Sequence, residues 1–335
     1  MMTDICRHII DHPSAWTAAE LGGKAAITRR LNAEQIAGFD ALLARTVHLA
    51  PQTVTRKDFD HPVVNELVAE VRHELMDGRG VTLLSGLDPA RYTPEQFERI
   101  YWGIGMHLGI PAVQSSNGDR LGRVQEEEND PVARGYRSSA ELKMHTDAYE
   151  IVGLMCIRQA AKGGQSALVS SLALHNEILR TRPEFLEPLY DGFYMALAEA
   201  QFSSKPITEE RIPVFCYVDG KVSSIYSGRF MHDAARKLNV ALPKGLAEAH
   251  AYMASLAERD DLALRFMLEP GEMVLWHNFL NLHSRTEFEN DASHNRLLLR
   301  LWLSVPNGRP VVPQVYARGQ TYDRLYQESS STGVS

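Results

Sequence analysis

A mainly β fold with helices on its periphery is the architecture that this 335-residue sequence predicts. Three observations point there. From about residue 214 onward the chain is rich in short β-type runs, the last of them NRLLLRLWLSV (295–305). That run alternates with the period of a strand: Leu297, Leu299, Leu301 and Leu303 fall on one side, and Arg296, Leu298, Arg300 and Trp302 on the other. The N-terminal third reads instead as helices around a single strand.

Taken in order, AEQIAGFDALLARTV (33–47) and HPVVNELVAEVRHELM (61–76) carry apolar residues at helical spacing. RGVTLLSGL (79–87) is a short β-rich run bounded by glycines. Thr93-Pro94-Glu95-Gln96 has the form of a capping box with proline at the first helical position, so a helix of roughly 15 residues follows. After Gly109 a polar, charged stretch (114–140) precedes MHTD (144–147) and the apolar run EIVGLMCI (150–157). A segment like 114–140 reads either as a lid over a pocket or as a solvated loop. Gly163-Gly164 turns the chain into QSALVSS (165–171), where Ser170 or Ser171 caps the helix LALHNEILRTR that stops before Pro183. VFCYVDGKVSSIYS (214–227) predicts a hairpin about Asp219-Gly220. A helix follows at GLAEAHAYMASLAERD (245–260), then strands at EMVLWHN (272–278) and LHSRTEF (282–288). No repeat or low-complexity linker divides the chain, so residues 1–326 are expected to form one domain, with 327–335 a flexible tail.

Hydrophobic content of 44% and charged content of 23% are ordinary for a globular protein. The net charge of −7 gives no electrostatic reason to expect nucleic acid or an anionic membrane as partner. The N-terminal MMTDICRHIIDHPS lacks the apolar stretch of a signal peptide, and no apolar run is long enough to span a bilayer. Cys6, Cys156 and Cys216 are widely spaced and form no CxxC pair, which argues against a disulfide framework or a thiolate zinc site. A cytoplasmic protein acting on a small molecule is the resulting expectation. Assembly with further copies of itself is left open.

His145-Thr146-Asp147 puts an imidazole and a carboxylate on the same side of an extended chain, within reach of one cation. Alone the pair decides little, because one such pair is expected roughly once by chance in a chain of this composition. A second histidine, His283, and the arginine-bearing strand thirteen residues further on raise its weight. Two histidines and one carboxylate leave three coordination positions open, the facial arrangement suited to iron(II) and oxygen. An arginine in the same cavity supplies a planar fork for a carboxylate. The strand arginines have two readings: a sheet face open to water, or an interior that receives an anionic ligand.

In this order, MHTD (144–147), GGQSALVSS (163–171), PGEMVLWHNFLNLHSRTEF and RLLLRLWL (296–303) resemble the taurine dioxygenase family, the clavaminate-synthase-like branch of the 2-oxoglutarate oxygenases. The resemblance covers about residues 75–310. It implies a double-stranded β-helix, or jelly roll, with helices outside it. It implies His145, Asp147 and His283 as ligands of Fe(II), and Arg296 as partner of the C5 carboxylate of 2-oxoglutarate. Ser166 takes the place where the family often has a threonine beside that carboxylate, and Arg300 would lie near cosubstrate or substrate. His277 stands where the family often has asparagine and is a competing ligand, ranked below His283 by its distance from Arg296. His294, in a polar turn, and His175, on a capped helix, read as surface residues. Gln125, Tyr226 and Arg229 are candidates for substrate contact, with a surface salt bridge the other reading for Arg229.

The activity so implied uses O2 and 2-oxoglutarate, releases succinate and CO2, and hydroxylates an unactivated C–H bond of a small carboxylate, amino acid or natural-product intermediate. The carboxylate of Asp147 argues against halogenation, since halogenating members lack it. Desaturation or oxidative cyclisation with the same cofactors is an alternative. From other classes, the rivals are a metal-dependent hydrolase and a non-catalytic jelly-roll binding protein.

Overall fold

A computed structural model of the chain describes residues 4–115, 117–126, 137–197 and 205–332, with side chains to residue 327. Residues 127–136, the middle of the expected lid, lie outside the described residues. Its strands run in chain order β1 (Thr28–Arg30), β2 (Val81–Ser85), β3 (Ile110–Pro111), β4 (Leu121–Val124), β5 (Leu142–His145), β6 (Ile151–Arg158), β7 (Lys162–Gly163), β8 (Ser166–Ser170), β9 (Phe215–Val218), β10 (Lys221–Ser224), β11 (Ala263–Phe266), β12 (Met273–His277), β13 (Asn281–Arg285), β14 (Phe288–Glu289) and β15 (Leu297–Ser304). The helices are α1 (Ala18–Leu21), α2 (Ala33–Thr46), α3 (Pro62–Met76), α4 (Pro94–Leu108), α5 (Ser171–Thr181), α6 (Leu186–Asp191), α7 (Gly228–Lys237), α8 (Lys244–Ala257) and α9 (Ala317–Thr332).

Two sheets carry the architecture. The larger has the order β1-β2-β12-β6-β15-β3, with β4 also paired to β15, and the smaller has the order β11-β8-β13-β5. Alternation along β15 sorts its two faces. Leu297, Leu299, Leu301 and Leu303 pack into a core shared with α2, α3 and α4. Leu298 and Trp302 point the other way, into a core joined by Leu168 of β8 and by Leu264 and Phe266 of β11. That second core therefore lies between the sheets. The outer face of the smaller sheet, with Ala167, Val169 and Leu282, is covered by α5, α6 and α8. Each sheet thus buries one face against helices and the other against its partner.

The local expectations are met at several points. Thr93 and Gln96 form the reciprocal capping box of α4, and proline opens that helix. Of the two candidate serines, Ser170 caps α5, its side chain accepting from the Ala173 N–H. The hairpin β9–β10 turns at Asp219 and Gly220 with φ of 49° and 74°, the left-handed pair that such a two-residue turn requires. All three cysteines are buried and free. Among the described residues no helix is long and apolar enough to cross a membrane.

The expectation of a mainly β chain is corrected: helix accounts for 38% and strand for 23%. The strands are short, and α6 and α9 carry no strong apolar period that would announce them in the sequence. The residues expected to form a flexible tail from 327 include the end of α9, which continues to Thr332.

Candidate metal centre

His145 ends β5 and His283 lies in the middle of β13, where the two are direct partners of an antiparallel pair. Their imidazole centroids are 4.2 Å apart. Asp147 follows two residues after His145, past a turn pinned on both sides: the Thr146 N–H donates to the Tyr226 carbonyl (2.7 Å) and the Tyr226 N–H donates to Thr146 Oγ1 (2.9 Å). The carboxylate stands 3.6 Å from His283 Nε2 and 3.9 Å from His145 Nε2. One ligand atom from each residue lies within 4.8 Å of the others, a cluster small enough to hold a single ion.

Neighbouring groups aim each ligand. His145 Nδ1 is 2.8 Å from the Lys143 carbonyl, so donation there fixes the tautomer and leaves Nε2 with its lone pair toward the cluster. The Trp302 indole N–H donates to Asp147 Oδ2 at 2.7 Å. Asn278 clamps the backbone of the turn, its Oδ1 accepting from the Asp147 N–H and its Nδ2 donating to the Asp147 and Tyr149 carbonyls. Electrostatics suit the same role. Burial and the adjacent His283 bring the His145 pKa down to about 3, keeping the ring neutral. Burial alone would raise the Asp147 pKa, but the hydrogen bond from His283 and the positive charge of Arg300 outweigh it and keep the carboxyl ionised. Neutral imidazoles and an ionised carboxylate are the forms a divalent cation needs.

The even positions of β15 and Arg296 just before it turn inward, which settles the two readings of these arginines against a water-facing sheet: Arg296 is 1% and Arg300 7% exposed. Arg296 lies over the Phe288 ring, 5.0 Å from its centroid. Its Nε and Nη1 are buried without a hydrogen-bond partner among the described residues. Burial lowers its pKa to about 10. Ser166 is buried and shares the inward face of β8 with Leu168. Arg300 is held differently, its Nε donating to Gln114 Oε1 (2.8 Å) and its guanidinium stacked 4.3 Å from the Trp302 ring.

Other candidates fall elsewhere. His277 is fully buried at the end of β12, 3.4 Å from the Glu150 carboxylate and outside the ligand cluster. Arg229 is 74% exposed on α7 and sits 3.8 Å from Asp233, the arrangement of a surface ion pair rather than of a cavity residue. The Tyr226 side chain packs against His250 in the helix-side core, so its link to the centre runs through its backbone. Gln125 is half-buried just after β4. His294 is exposed beside Asp291, as expected. His175 is not on the surface: it is completely buried, 3.0 Å from the Tyr190 hydroxyl, because α5 is covered on that side by α6 and β9.

Several contributors had no sequence signal of their own. Asn278 and Gln114 act through contacts made only in the folded chain. Arg318 of α9 donates toward the Thr146 carbonyl (3.4 Å). Arg285, two residues beyond His283, stood in plain sight in LHSRTEF and its strand period placed it on the ligand face.

The comparisons with known proteins agree on this region. The family model for taurine catabolism dioxygenase TauD, TfdA family, matches residues 45–302. The FR-33289 synthase of Streptomyces rubellomurinus is 28% identical over 322 residues, covering 92% of this chain and 94% of that protein. The taurine hydroxylase-like protein SAT17 of Stachybotrys chartarum is 27% identical over 303 residues, 85% of this chain and 77% of that one. Among solved structures, asparagine oxygenase in complex with Fe(II), 2S,3S-3-hydroxyasparagine and succinate superimposes with a TM-score of 0.65 at 16% identity, covering 83% of this chain and 93% of that one.

Proposed function

The chain belongs to the taurine catabolism dioxygenase TauD, TfdA family and is a non-haem iron, 2-oxoglutarate-dependent oxygenase, and on that footing we propose that His145, Asp147 and His283 hold the Fe(II), that Arg296 and Ser166 receive 2-oxoglutarate, and that the reaction is hydroxylation of a small carboxylate, amino acid or natural-product intermediate. The observation that carries this reading is one juxtaposition. A two-histidine, one-carboxylate cluster is accompanied in the same fold by a buried arginine whose Nε and Nη1 have no partner among the described residues. A hydrolase built on the same three ligands would have no use for that arginine.

The fit to an iron centre rests on the donor set: two imidazoles, that of His145 held neutral by burial, one ionised carboxylate, and second contacts that fix two of the three. Bound there, the iron and its 2-oxo acid cosubstrate supply the oxidation itself, with succinate and CO2 as the cosubstrate's products. The chain's own residues orient and shield. Arg296 presents its fork to a carboxylate in a water-poor interior, where a charge-assisted pair is strong. Trp302 and Asn278 hold Asp147 in one orientation, and the apolar side chains between the sheets keep bulk water from the reacting carbon. Two facing sheets wrapped around such a centre support a jelly-roll core. The asparagine oxygenase neighbour, with its hydroxylated amino acid and succinate, supports hydroxylation over desaturation or cyclisation.

The test is succinate release from 2-oxoglutarate by the purified protein with Fe(II) and O2, screened over small carboxylates and amino acids. Stimulated succinate formation with a hydroxylated product is the expected result; absence of both iron binding and succinate would refute the reading. Arg296→Ala should raise the 2-oxoglutarate requirement roughly 10- to 100-fold, the loss of a charge-assisted pair. An unchanged requirement would remove Arg296 from the pocket.

A further inference from the structure

We propose that Arg285 is a second arginine of the cosubstrate pocket, holding with Arg296 the distal carboxylate of 2-oxoglutarate; the inference rests on the oxygenase reading above. Strand geometry places it. Side chains two apart on a strand share a face, so Arg285 lies on the same side of β13 as the ligand His283. Its direct partner across the antiparallel pair with β8 is Ser166, and such partners bring their Cβ atoms to about 5 Å. The hydroxyl and the guanidinium therefore start from adjacent points on the inward face.

The two arginines meet at one ring. The guanidinium carbons of Arg285 and Arg296 lie 4.7 and 5.0 Å from the centroid of Phe288. Arg285 is 5% exposed and Arg296 1%. Two buried cations that share one aromatic ring, Arg296 acting electrostatically on Arg285, are costly without an anion to compensate them. The acid group that acts on Arg285 is Glu126, an exposed residue whose carboxylate oxygens already accept from Ser139 and Asn290. Three buried nitrogens are left without a hydrogen-bond partner among the described residues: Nη1 of Arg285, and Nε and Nη1 of Arg296. A carboxylate, with two oxygens and about four lone-pair directions, is the group such a set would bind.

The rest of Arg285 fixes its aim. Nη2 donates to the carbonyls of Ser138 (2.9 Å) and Ala140, and Nε donates to the Thr286 carbonyl (3.2 Å). Gly164 completes the cradle: its φ is +76°, and a Cβ there would come within 3.1 Å of Arg296 Nε. Because residues 138 and 140 immediately precede β5, the same guanidinium joins the carboxylate pocket to the strand that ends in His145.

The experiment compares two 2-oxo acids on the Fe(II)-loaded protein without oxygen: 2-oxoglutarate, and 2-oxobutyrate, which lacks the distal carboxylate. Binding is read from the absorption of the iron–oxo-acid chelate and from the rise in melting temperature, so no turnover is needed. Arg285→Gln is expected to weaken 2-oxoglutarate roughly 10- to 100-fold while leaving 2-oxobutyrate and Fe(II) affinity within about twofold, and Arg285→Lys to recover part of the loss. Equal loss for both acids would show that Arg285 only supports Ser138 and Ala140, and wild-type 2-oxoglutarate affinity would overturn the proposal outright. A measurement on the unmutated protein covers the case in which both variants misfold. With isotope-labelled arginine and Zn(II) in place of iron, two buried guanidinium signals should respond to 2-oxoglutarate and not to 2-oxobutyrate; a response from one alone overturns the proposal. If the wild-type protein binds neither acid, the oxygenase reading fails first and takes this inference with it.

Discussion

Asp147 is aimed by one indole. Trp302 donates to its Oδ2, and outer contacts of this kind typically contribute 10- to 100-fold to metal affinity. Trp302→Phe keeps the ring and removes the donor, so Fe(II) affinity, measured by anaerobic titration, should fall about tenfold with the fold intact; unchanged affinity would make the bond incidental. The two histidines near the end of the motif PGEMVLWHNFLNLH separate in the same way. His283→Ala should abolish iron binding, whereas His277→Ala should keep it while lowering the melting temperature, because it opens a cavity beside the buried Glu150 and removes one of its neighbours. The reverse outcome would reassign the ligand. At this scale the sequence was most legible where chemistry and spacing coincide: the His-x-Asp pair, His283 and the inward arginines of β15. Asn278, Gln114 and Trp302 were not legible as supports, since each acts on a residue far away in the chain. Arg285 was legible in principle, because a period of two carries it onto the face of His283.

The helices differ in how openly they are written. Pro94–Leu108 announces itself through its capping box and apolar stripe. Ser170 serves α5 as N-cap and also donates to the Ser14 carbonyl, so Ser170→Ala should cost about 1 kcal/mol or more in urea unfolding, and a loss within error would contradict the double role. Helix α9 has inward residues Arg318, Thr321, Tyr322 and Leu325. Their spacing is helical, but two of the four are polar, which hides the apolar period from a sequence reading. Their contacts explain the placement: Tyr322 packs 5.8 Å from the Trp302 ring, Tyr149 donates to Asp323 at 2.8 Å, and Arg318 stacks over Phe230. Removing residues 317–335 should lower the melting temperature by about 5–10 °C and loosen iron binding through Trp302. A truncated protein with native stability and affinity would make α9 an ornament.

Across the molecule, two sheets enclose the centre and helices cover both outer faces, so the fold's interior is dry on either side of the smaller sheet. Two histidines are caught in the outer helical layer, His175 on α5 and His250 on α8, and burial lowers both to about 4. Their folded pKa lies below the ordinary histidine value of 6.5, so between those limits the unfolded chain binds more protons. Stability contributed by their neutral forms is full above about 6.5 and is lost as pH falls toward 4. Melting of the metal-free protein across that range should show this decline, and the double variant His175→Gln, His250→Leu should make it shallower, the remainder coming from His145 and His277, which burial also lowers; an unaltered slope would place the pH dependence elsewhere. The central claim is narrower: that His145, Asp147 and His283 make one Fe(II) site coupled to 2-oxoglutarate. Succinate formed by the purified protein, quantified with and without Fe(II) and O2 and in the His283→Ala variant, tests it most directly. Succinate that requires both and vanishes in the variant is the predicted result; succinate that persists in His283→Ala, or that never appears in the iron-loaded wild-type protein, would contradict it.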